Sequence, residues 1–243
     1  MAEPLLLRYL QPLLTGRRAE CFELVRKGLD DATAKHLLCE VIWPAMTQVD
    51  RLFRDDRISQ AVEQMATRIN RTAADQLQAA LPMTPRNGKR AVVLCAAMET
   101  EELGAQICAD LLQAEGWEIF FVGRTVAHDE VVALLGQTQP HALLVFGSAP
   151  EDVPDMRGLI QYIRELGTCP TMNIVTSGGI FTRADDLWRE IGADAFAPTA
   201  RDLLRLLADL APREPKSVRR SIVKKRNRKR KGAKVAVPAL ACE

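Results

Sequence analysis

The residues with the clearest potential for ligand chemistry each follow a short apolar run. They are two glutamates, a serine and three glycines: Glu99, Glu101, Gly104, Ser148, Gly178 and Gly179. A carboxylate or a hydroxyl can hydrogen-bond a ligand. Glycine, which has no Cβ, lets a ligand lie close to the backbone. The set therefore predicts a binding site.

Each of these residues also has a simpler structural explanation, and the sequence leaves both open. Gly104 can serve only close packing of a helix on a strand, and Gly178-Gly179 can form only a tight turn. Ser148, which precedes Pro150 and Glu151, can cap a helix. Glu99 and Glu101 can be acids at a helix N-terminus, where the macrodipole favours them.

The sequence gives little sign of catalysis. It contains no nucleophile and base at motif spacing, no P-loop and no GxGxxG fingerprint, so we expect no enzymatic activity of its own. The six cysteines form no CxxC pair, which favours buried free thiols in a reducing, cytoplasmic compartment over a zinc site.

The residues from Arg90 to Pro212 alternate short apolar runs with amphipathic stretches. Five such pairs predict an α/β fold, a flavodoxin-like five-stranded parallel sheet with helices on both faces. We expect its helices at Glu101–Glu115, Asp129–Leu135, Val153–Leu166, Arg183–Ile191 and Ala200–Leu210. Ligands of such sheets bind at the carboxyl ends of the strands. The candidate residues all follow strands at this edge.

The residues before the sheet predict an N-terminal helical bundle, because apolar positions recur at intervals of three and four. We expect helices at Leu5–Leu14, Ala19–Leu29, Ala34–Phe53 and Ile58–Leu81, with Pro44 ending or kinking the third near Trp43. The predicted organisation is a helical cap over residues 1–82, a linker over 83–89, the α/β domain over 90–212 and a tail over 213–243.

These motifs, in this order, resemble the cobalamin (vitamin B12)-binding domain family. Its domains carry Asp-x-His-x-x-Gly after the first strand, a serine motif after the third and a Gly-Gly pair after the fourth. Aligned on Gly104, METEELG places Glu101 at the position of the cobalt-binding histidine and Glu99 at that of the aspartate. FGSAP supplies Ser148, and TSGGIF supplies Gly178 and Gly179. The frame matches, and the metal ligand does not.

The helical half resembles the caps of corrinoid carriers and of cobalamin-dependent light-sensing repressors. The repressor caps carry Trp, nine residues, then Glu-His, and this histidine can bind cobalt from above. Phe53, Glu63 and Gln64 occupy these places. Of the three histidines, His36 and His141 lie away from the ligand edge, and only His128 follows a strand on the correct side.

The resemblance implies cobalamin as cofactor, held through its nucleotide tail and corrin edge without a histidine on cobalt. Three functions follow from it. The sequence favours a regulatory or sensory protein that holds the corrinoid between cap and α/β domain. The alternatives are a ligand-free interaction protein and a corrinoid carrier for methyl transfer. Because carriers normally use the lower histidine, Glu101 argues against the last.

The charge distribution suggests a second kind of partner. Residues Lys216–Lys234 carry 11 basic residues and no acid, whereas the preceding residues hold 22 basic and 30 acidic side chains, a net of about −8. We expect a disordered tail that either attracts nucleic acid or an acidic partner, or only aids solubility. No apolar run is long enough to cross a membrane, so we expect none to do so.

Overall fold

In a computed structural model that describes residues 4–96 and 99–214, the chain forms a helical half followed by an α/β half. The side chains of Glu99, Thr100 and Glu101 lie outside this description, as does the basic segment Lys216–Lys234.

The helical half ends with its longest helix. Its helices are α1 (Leu5–Leu14), α2 (Arg18–Asp31), α3 (Ala34–Leu37), α4 (Trp43–Arg54) and α5 (Gln60–Gln78). Side-chain oxygens cap two of them, because Thr33 accepts from the backbone N–H of His36 and Ser59 from that of Val62. These positions confirm the helices that the periodicity predicted.

Pro44 does not interrupt the third predicted helix. Leu38–Ile42 forms a π-helical turn between α3 and α4, and the N–H of Trp43 bonds back to the carbonyl of Leu38. Proline lacks an N–H, and its ring clashes with the carbonyl four residues earlier, so a wider turn relieves the clash while the helical path continues. The turn fixes where Trp43 and the start of α4 lie.

The α/β half is a five-stranded, all-parallel sheet in the order β2-β1-β3-β4-β5. The strands are β1 (Arg90–Cys95), β2 (Glu118–Gly123), β3 (Ala142–Phe146), β4 (Asn173–Ser177) and β5 (Ala195–Phe196). The helices are α6 (Glu99–Ala114), α7 (His128–Thr138), α8 (Val153–Leu166), α9 (Gly179–Arg183), α10 (Leu187–Glu190) and α11 (Ala200–Ala208). This is the flavodoxin-like sheet that the sequence predicted, with its topological switch between β1 and β3.

The sheet is buried on both faces, and the two faces have separate cores. Ala91, Val93 and Cys95 of β1 belong to a core shared with α6, α11 and the helical half. Val92 and Leu94 belong to a core shared with α7 and α8. Because side chains alternate along a strand, a continuous apolar run supplies both cores at once.

One helix of the α/β half differs from the sequence-based expectation. The stretch Arg183–Ile191 was expected to be one helix, but the structure has two short ones, α9 and α10. Ala184 is extended and Asp186 adopts a left-handed conformation with φ of 58°, which separates them.

The proline-containing linker packs against the end of α6, since the N–H and hydroxyl of Thr84 both donate to the carbonyl of Ala114.

The five cysteines among the described residues are buried and free, which confirms that part of the sequence-based prediction. They are Cys21 and Cys39 in the helical half and Cys95, Cys108 and Cys169 in the α/β half. Among the described helices, none combines the length and the apolarity that crossing a membrane requires.

Candidate functional site

A cavity of about 380 Å³ lies where the helical half meets the carboxyl ends of the strands. Four of the predicted residues line it together: Gly104, Ser148, Gly178 and Gly179. They come from α6 and from the ends of β3 and β4, so the parallel sheet brings them to one edge, as expected. Pro198 and Thr199, which follow β5, complete this side.

The floor of the cavity is a set of strand ends tied to one another by hydrogen bonds. The N–H of Gly147 donates to the carbonyl of Ser177 at 3.1 Å, and the carbonyl of Gly147 accepts from Ile180 at 3.3 Å. The Ser177 hydroxyl donates to the carbonyl of Ala197 at 2.8 Å. These bonds hold the loops after β3, β4 and β5 at fixed separations.

Gly178 is required by this floor. Its φ is +104°, and a Cβ there would lie 2.3 Å from the carbonyl oxygen of Gly147. Residues with a Cβ rarely adopt such a φ, and the close contact would be with backbone, which cannot move aside as a flexible side chain can. The first glycine of the pair therefore makes the loop possible, whatever a ligand requires.

One face of α4 forms the roof of the cavity. The residues at this face follow helical spacing and comprise Trp43, Met46, Thr47, Asp50 and Arg54. Trp43 is 6% exposed, and its ring would lie 3.6 Å from a Cβ on Gly104, with the Met46 methyl at 3.4 Å. α4 therefore packs against α6 at Gly104, with room for a Cβ in ordinary contact but not for a larger side chain.

An ion pair connects α4 on one side of the cavity with α9 on the other. A carboxylate oxygen of Asp50 on α4 lies 3.6 Å from a guanidinium nitrogen of Arg183, the last residue of α9. The same oxygen accepts a hydrogen bond from Arg54 at 3.0 Å. Another nitrogen of Arg183 donates to the carbonyl of Ser148. Arg183 therefore joins the loops after β3 and β4 to the helical half.

The other predicted residues lie elsewhere or outside the described side chains. Phe53 is half-buried and Gln64 is exposed, and neither lines the cavity. Glu63 accepts a hydrogen bond from Thr67 at 3.0 Å on its own helix. Glu99 and Glu101 occupy the first turn of α6, beside Gly104, and their side chains are not described. The ligand-binding roles assigned to these five stay predictions.

Among the residues that the structure describes, no histidine lines this cavity. His141 accepts a hydrogen bond from the N–H of Arg90 at the amino end of the sheet, and His36 is exposed on α3. His128 lies 3.0 Å from a carboxylate oxygen of Asp155, among residues of α7 and α8 on the opposite face of the sheet.

The buried thiols are poor substitutes for a metal-binding histidine. Burial raises the pKa of Cys39 and raises that of Cys108 well above its ordinary value. A thiol binds metal as its thiolate, so these groups remain protonated and inert near neutral pH.

The sequence missed the roof and the ion pair. The resemblance placed Phe53, and not Trp43, at the position of the cap tryptophan, and neither Asp50 nor Arg183 was named as a site residue. The available signal was helical spacing, because Met46, Thr47, Asp50 and Arg54 share the face that Trp43 begins. Nothing in the local sequence shows that this face meets the loop after β4.

Comparison with known families gives two matches that divide the chain as its fold does. A family model described as B12 binding domain matches residues 89–208, and a second model of the same description matches residues 5–78.

Among curated proteins, the chain is similar to two proteins of Methanosarcina acetivorans. Dimethylamine corrinoid protein 3 is 22% identical over 211 residues, which cover 86% of this chain and 97% of that protein. Dimethylamine corrinoid protein 1 is 20% identical over 211 residues, covering 86% and 98%. The similarity therefore extends over both halves.

A solved structure has the same architecture. The monomethylamine corrinoid protein of Methanosarcina barkeri aligns with a TM-score of 0.71 at 19% identity, over 82% of this chain and 95% of that one. At this identity the alignment supports the fold: a helical half followed by the five-stranded sheet.

Proposed function

Because this chain belongs to the B12-binding domain family, whose ligand is the cobalt corrinoid cobalamin, we propose that it is a corrinoid carrier for methyl transfer. The end-to-end similarity to corrinoid proteins supports this choice over the regulatory function that the sequence alone favoured. A bound corrinoid supplies a cobalt centre that accepts and releases a methyl group, and partner methyltransferases supply the catalysis. The chain itself is proposed to have no enzymatic activity and to work in the cytoplasm.

The observation that carries the proposal is the cavity between the two halves. Its volume of about 380 Å³ lies in the lower part of the range for ligand sites, which suits a nucleotide-sized group. Ser148 and Gly179 would hold the nucleotide tail of the corrinoid there, with Phe146 and Trp43 as apolar walls. The corrin ring is too large for this volume and must extend towards the first turn of α6.

The chain is proposed to hold the corrinoid without a histidine on cobalt. Glu101 stands at the lower ligand position, Gln64 is exposed on the helical half, and no described histidine lines the cavity. A carboxylate is a harder and weaker ligand for Co(III) than an imidazole nitrogen. Binding of the corrinoid would therefore depend on the residues of the cavity. The missing histidine ligand is the feature in which the proposed carrier departs from its family.

Reconstitution tests the binding step. The protein is incubated with hydroxocobalamin and desalted, and we expect corrinoid absorbance to stay with it in an equimolar amount. Because the cavity would hold the nucleotide tail away from cobalt, the spectrum should match the base-off form of free cobalamin that is seen in acid. A spectrum shifted as by an imidazole ligand would contradict the proposed histidine-free site and point to His128, and a colourless protein would refute the function.

Two helical glycines provide a matched pair of variants. A Cβ on Gly104 points at Trp43 and Met46 in the cavity, whereas a Cβ on Gly136 of α7 meets nothing within 4 Å. We expect Gly104→Leu to lose corrinoid retention and Gly136→Leu to keep it, with circular dichroism confirming that both are folded. Equal retention by the two would place the corrinoid outside this cavity.

Methyl transfer separates the carrier from the regulatory alternative. The reconstituted protein is reduced and offered to candidate methyltransferases, and methylation of the bound corrinoid is followed by absorbance. The same enzymes are assayed with free cobalamin as a control. Enzymes that methylate free cobalamin but never the bound form would favour the regulatory function instead. The segment Lys216–Lys234 stays a candidate contact for nucleic acid or an acidic partner.

A further inference from the structure

Arg183 occupies an unusual place in the cavity. It ends the short helix that follows the glycine pair, and its guanidinium donates to the carbonyl of Ser148 while lying 3.6 Å from Asp50. The side chains of Arg183 and Asp50 are 28% and 25% exposed, so the pair is partly shielded from solvent. One cation thus lies at the boundary between the two halves and faces the space where a ligand enters.

Gly179 leaves the space that the guanidinium of Arg183 occupies. A Cβ on Gly179 would lie 2.5 Å from a guanidinium nitrogen of Arg183 and 3.6 Å from the Ser148 hydroxyl oxygen. Any side chain at this position would therefore displace the guanidinium. The two glycines have separate roles: Gly178 permits the loop conformation, and Gly179 leaves room for the guanidinium of Arg183.

The charges around the cavity favour an anion. Among the lining residues that the structure describes, Arg54 and Arg183 are cationic and Asp50 is the acid, which leaves an excess of one positive charge. Asp50 also accepts a hydrogen bond from Arg54 at 3.0 Å. If Arg183 turned to another anion, Asp50 would keep a cationic partner on its own helix. The exchange would therefore leave no carboxylate isolated.

We propose that Arg183 binds the phosphodiester of the corrinoid's nucleotide tail and exchanges Asp50 for it, an inference that rests on the proposed carrier function. Guanidinium and phosphate form strong, charge-assisted hydrogen bonds, and the planar fork of arginine suits the tetrahedral oxygens. Two consequences follow. The site selects corrinoids that carry a nucleotide tail, and binding of that tail releases one tie between the helical half and the α/β half.

The release is local, because other contacts keep the halves together. Arg201 of α11 lies 2.7 Å from Glu40 of the π-helical turn, away from the cavity. The shared apolar core also continues across the boundary. The exchange therefore loosens the roof at α4, next to the ligand, without separating the two halves.

The test compares two corrinoids by equilibrium titration of the purified protein. Hydroxocobalamin has the phosphodiester, and cobinamide lacks the whole nucleotide. We expect the wild-type protein to prefer cobalamin. In Arg183→Met the affinity for cobalamin should fall by roughly ten- to a hundred-fold, the range of charge-assisted hydrogen bonds. The affinity for cobinamide should stay within about two-fold, because that ligand makes no phosphate contact.

A second variant tests the exchange itself. Asp50→Asn removes the competing carboxylate and should tighten cobalamin binding by about two- to five-fold, as for a partly exposed ion pair, and leave cobinamide unchanged. Arg189→Met is the matched control, since Arg189 pairs with Asp186 on the surface of α10. Isolated α-ribazole phosphate and inorganic phosphate, added as competitors, distinguish recognition of the whole tail from recognition of phosphate alone.

The outcomes separate the two proposals. If the wild-type protein binds both corrinoids equally and Arg183→Met changes neither or both, the role of Arg183 is refuted and the carrier function stands. If it binds neither corrinoid, the carrier function fails and the inference fails with it. Should Arg183→Met be poorly folded by circular dichroism, the result for Asp50→Asn decides: unchanged cobalamin affinity there would overturn the exchange.

Discussion

At the scale of single residues, three glycines of one cavity meet three different neighbours. Gly178 lies against the backbone of Gly147, Gly179 against Arg183, and Gly104 against Trp43 and Met46. A glycine pair after a strand is easily interpreted as ligand contact alone. A Cβ on Gly178 or Gly179 would come too close to its neighbour, whereas a Cβ on Gly104 would make ordinary van der Waals contacts. The glycine pair therefore has a structural role apart from any ligand.

The first prediction at this scale concerns Gly178. In Gly178→Ala the new Cβ would lie 2.3 Å from a backbone oxygen at a φ of +104°, so we expect a loss of at least about 2 kcal/mol in the free energy of unfolding. Gly136→Ala, in a helix with open space around it, should be neutral or stabilising by up to about 1 kcal/mol. Urea denaturation measures both. Equal stabilities would show that the loop can relax.

Residue identities were predictable where a short motif carries them. Ser148 and the glycine pair were found because they stand at fixed places after apolar strands. Trp43, Asp50 and Arg183 were not, because their contacts join segments far apart in the chain. Arg183 lies in a polar stretch whose exposed pattern resembles any surface helix, and only its three-dimensional neighbours reveal its place.

At the scale of elements, α5 and α6 form the main contact between the two halves, and carboxylates lie at this contact. Gln106 donates to Asp75 at 3.1 Å and accepts from Arg71 at 3.1 Å. On the same helix, burial and, to a smaller extent, the negative charge of Asp75 together raise the pKa of Asp110 to about 6. The packing of α5 on α6 therefore disfavours ionisation of Asp110.

This gives a pH-dependent stability. Because the folded pKa of Asp110 is raised above its ordinary 3.8, the native state holds more protons than the unfolded state between pH 4 and 6. The protonated carboxyl of Asp110 therefore stabilises the native state at low pH. This contribution to the free energy of unfolding is lost as pH rises through about 6, and the loss is complete at pH 7.

We expect Asp110→Asn to stabilise the protein by about 1 kcal/mol at pH 7, a value reduced because the group is partly exposed, and to have no effect near pH 4. Thermal unfolding at the two pH values measures the difference. Asp185→Asn, at an exposed loop position, is the control and should change neither. An equal gain at both pH values would show that Asn improves packing and that the ionisation is not responsible.

Elements were predicted well wherever hydrophobic periodicity is long. The four helical stretches and the five strands follow this periodicity closely, because the apolar positions that set the period are the positions buried in the core. The split of α9 from α10 was missed, because it depends on the left-handed conformation of Asp186 within a short segment. The turn before Pro44 was expected to be a break, yet a π-helical turn accommodates the ring.

At the scale of the whole molecule, the boundary between the halves is not a boundary of the core. One buried cluster extends from Tyr9 and Leu13 of α1 through α6 and β1 to Leu207 of α11. The sequence divided the chain into a cap and a sheet domain at residue 83, which describes its order along the chain. The packing joins these parts through the apolar face of α6.

We therefore expect the two halves to unfold in one transition. Trp43 lies in the helical half and Trp188 in the α/β half, so each can be the sole tryptophan after replacing the other two by phenylalanine. Fluorescence of the two variants in urea, each compared with its own circular dichroism, should give coincident midpoints. A fluorescence midpoint that precedes the loss of helix in the Trp43 variant would show that the helical half opens independently.

The five buried thiols have a practical consequence for studying how the molecule opens. Their sulfurs are shielded in the native state, and burial keeps at least Cys21, Cys39, Cys108 and Cys169 in the slowly reacting protonated form. With Cys242, which lies outside the described residues, replaced by serine, alkylation of each sulfur can proceed only as fast as its surroundings open. Mass spectrometry of the labelled peptides would then give separate opening rates for the two halves, with and without corrinoid. The protein thus carries its own set of internal probes.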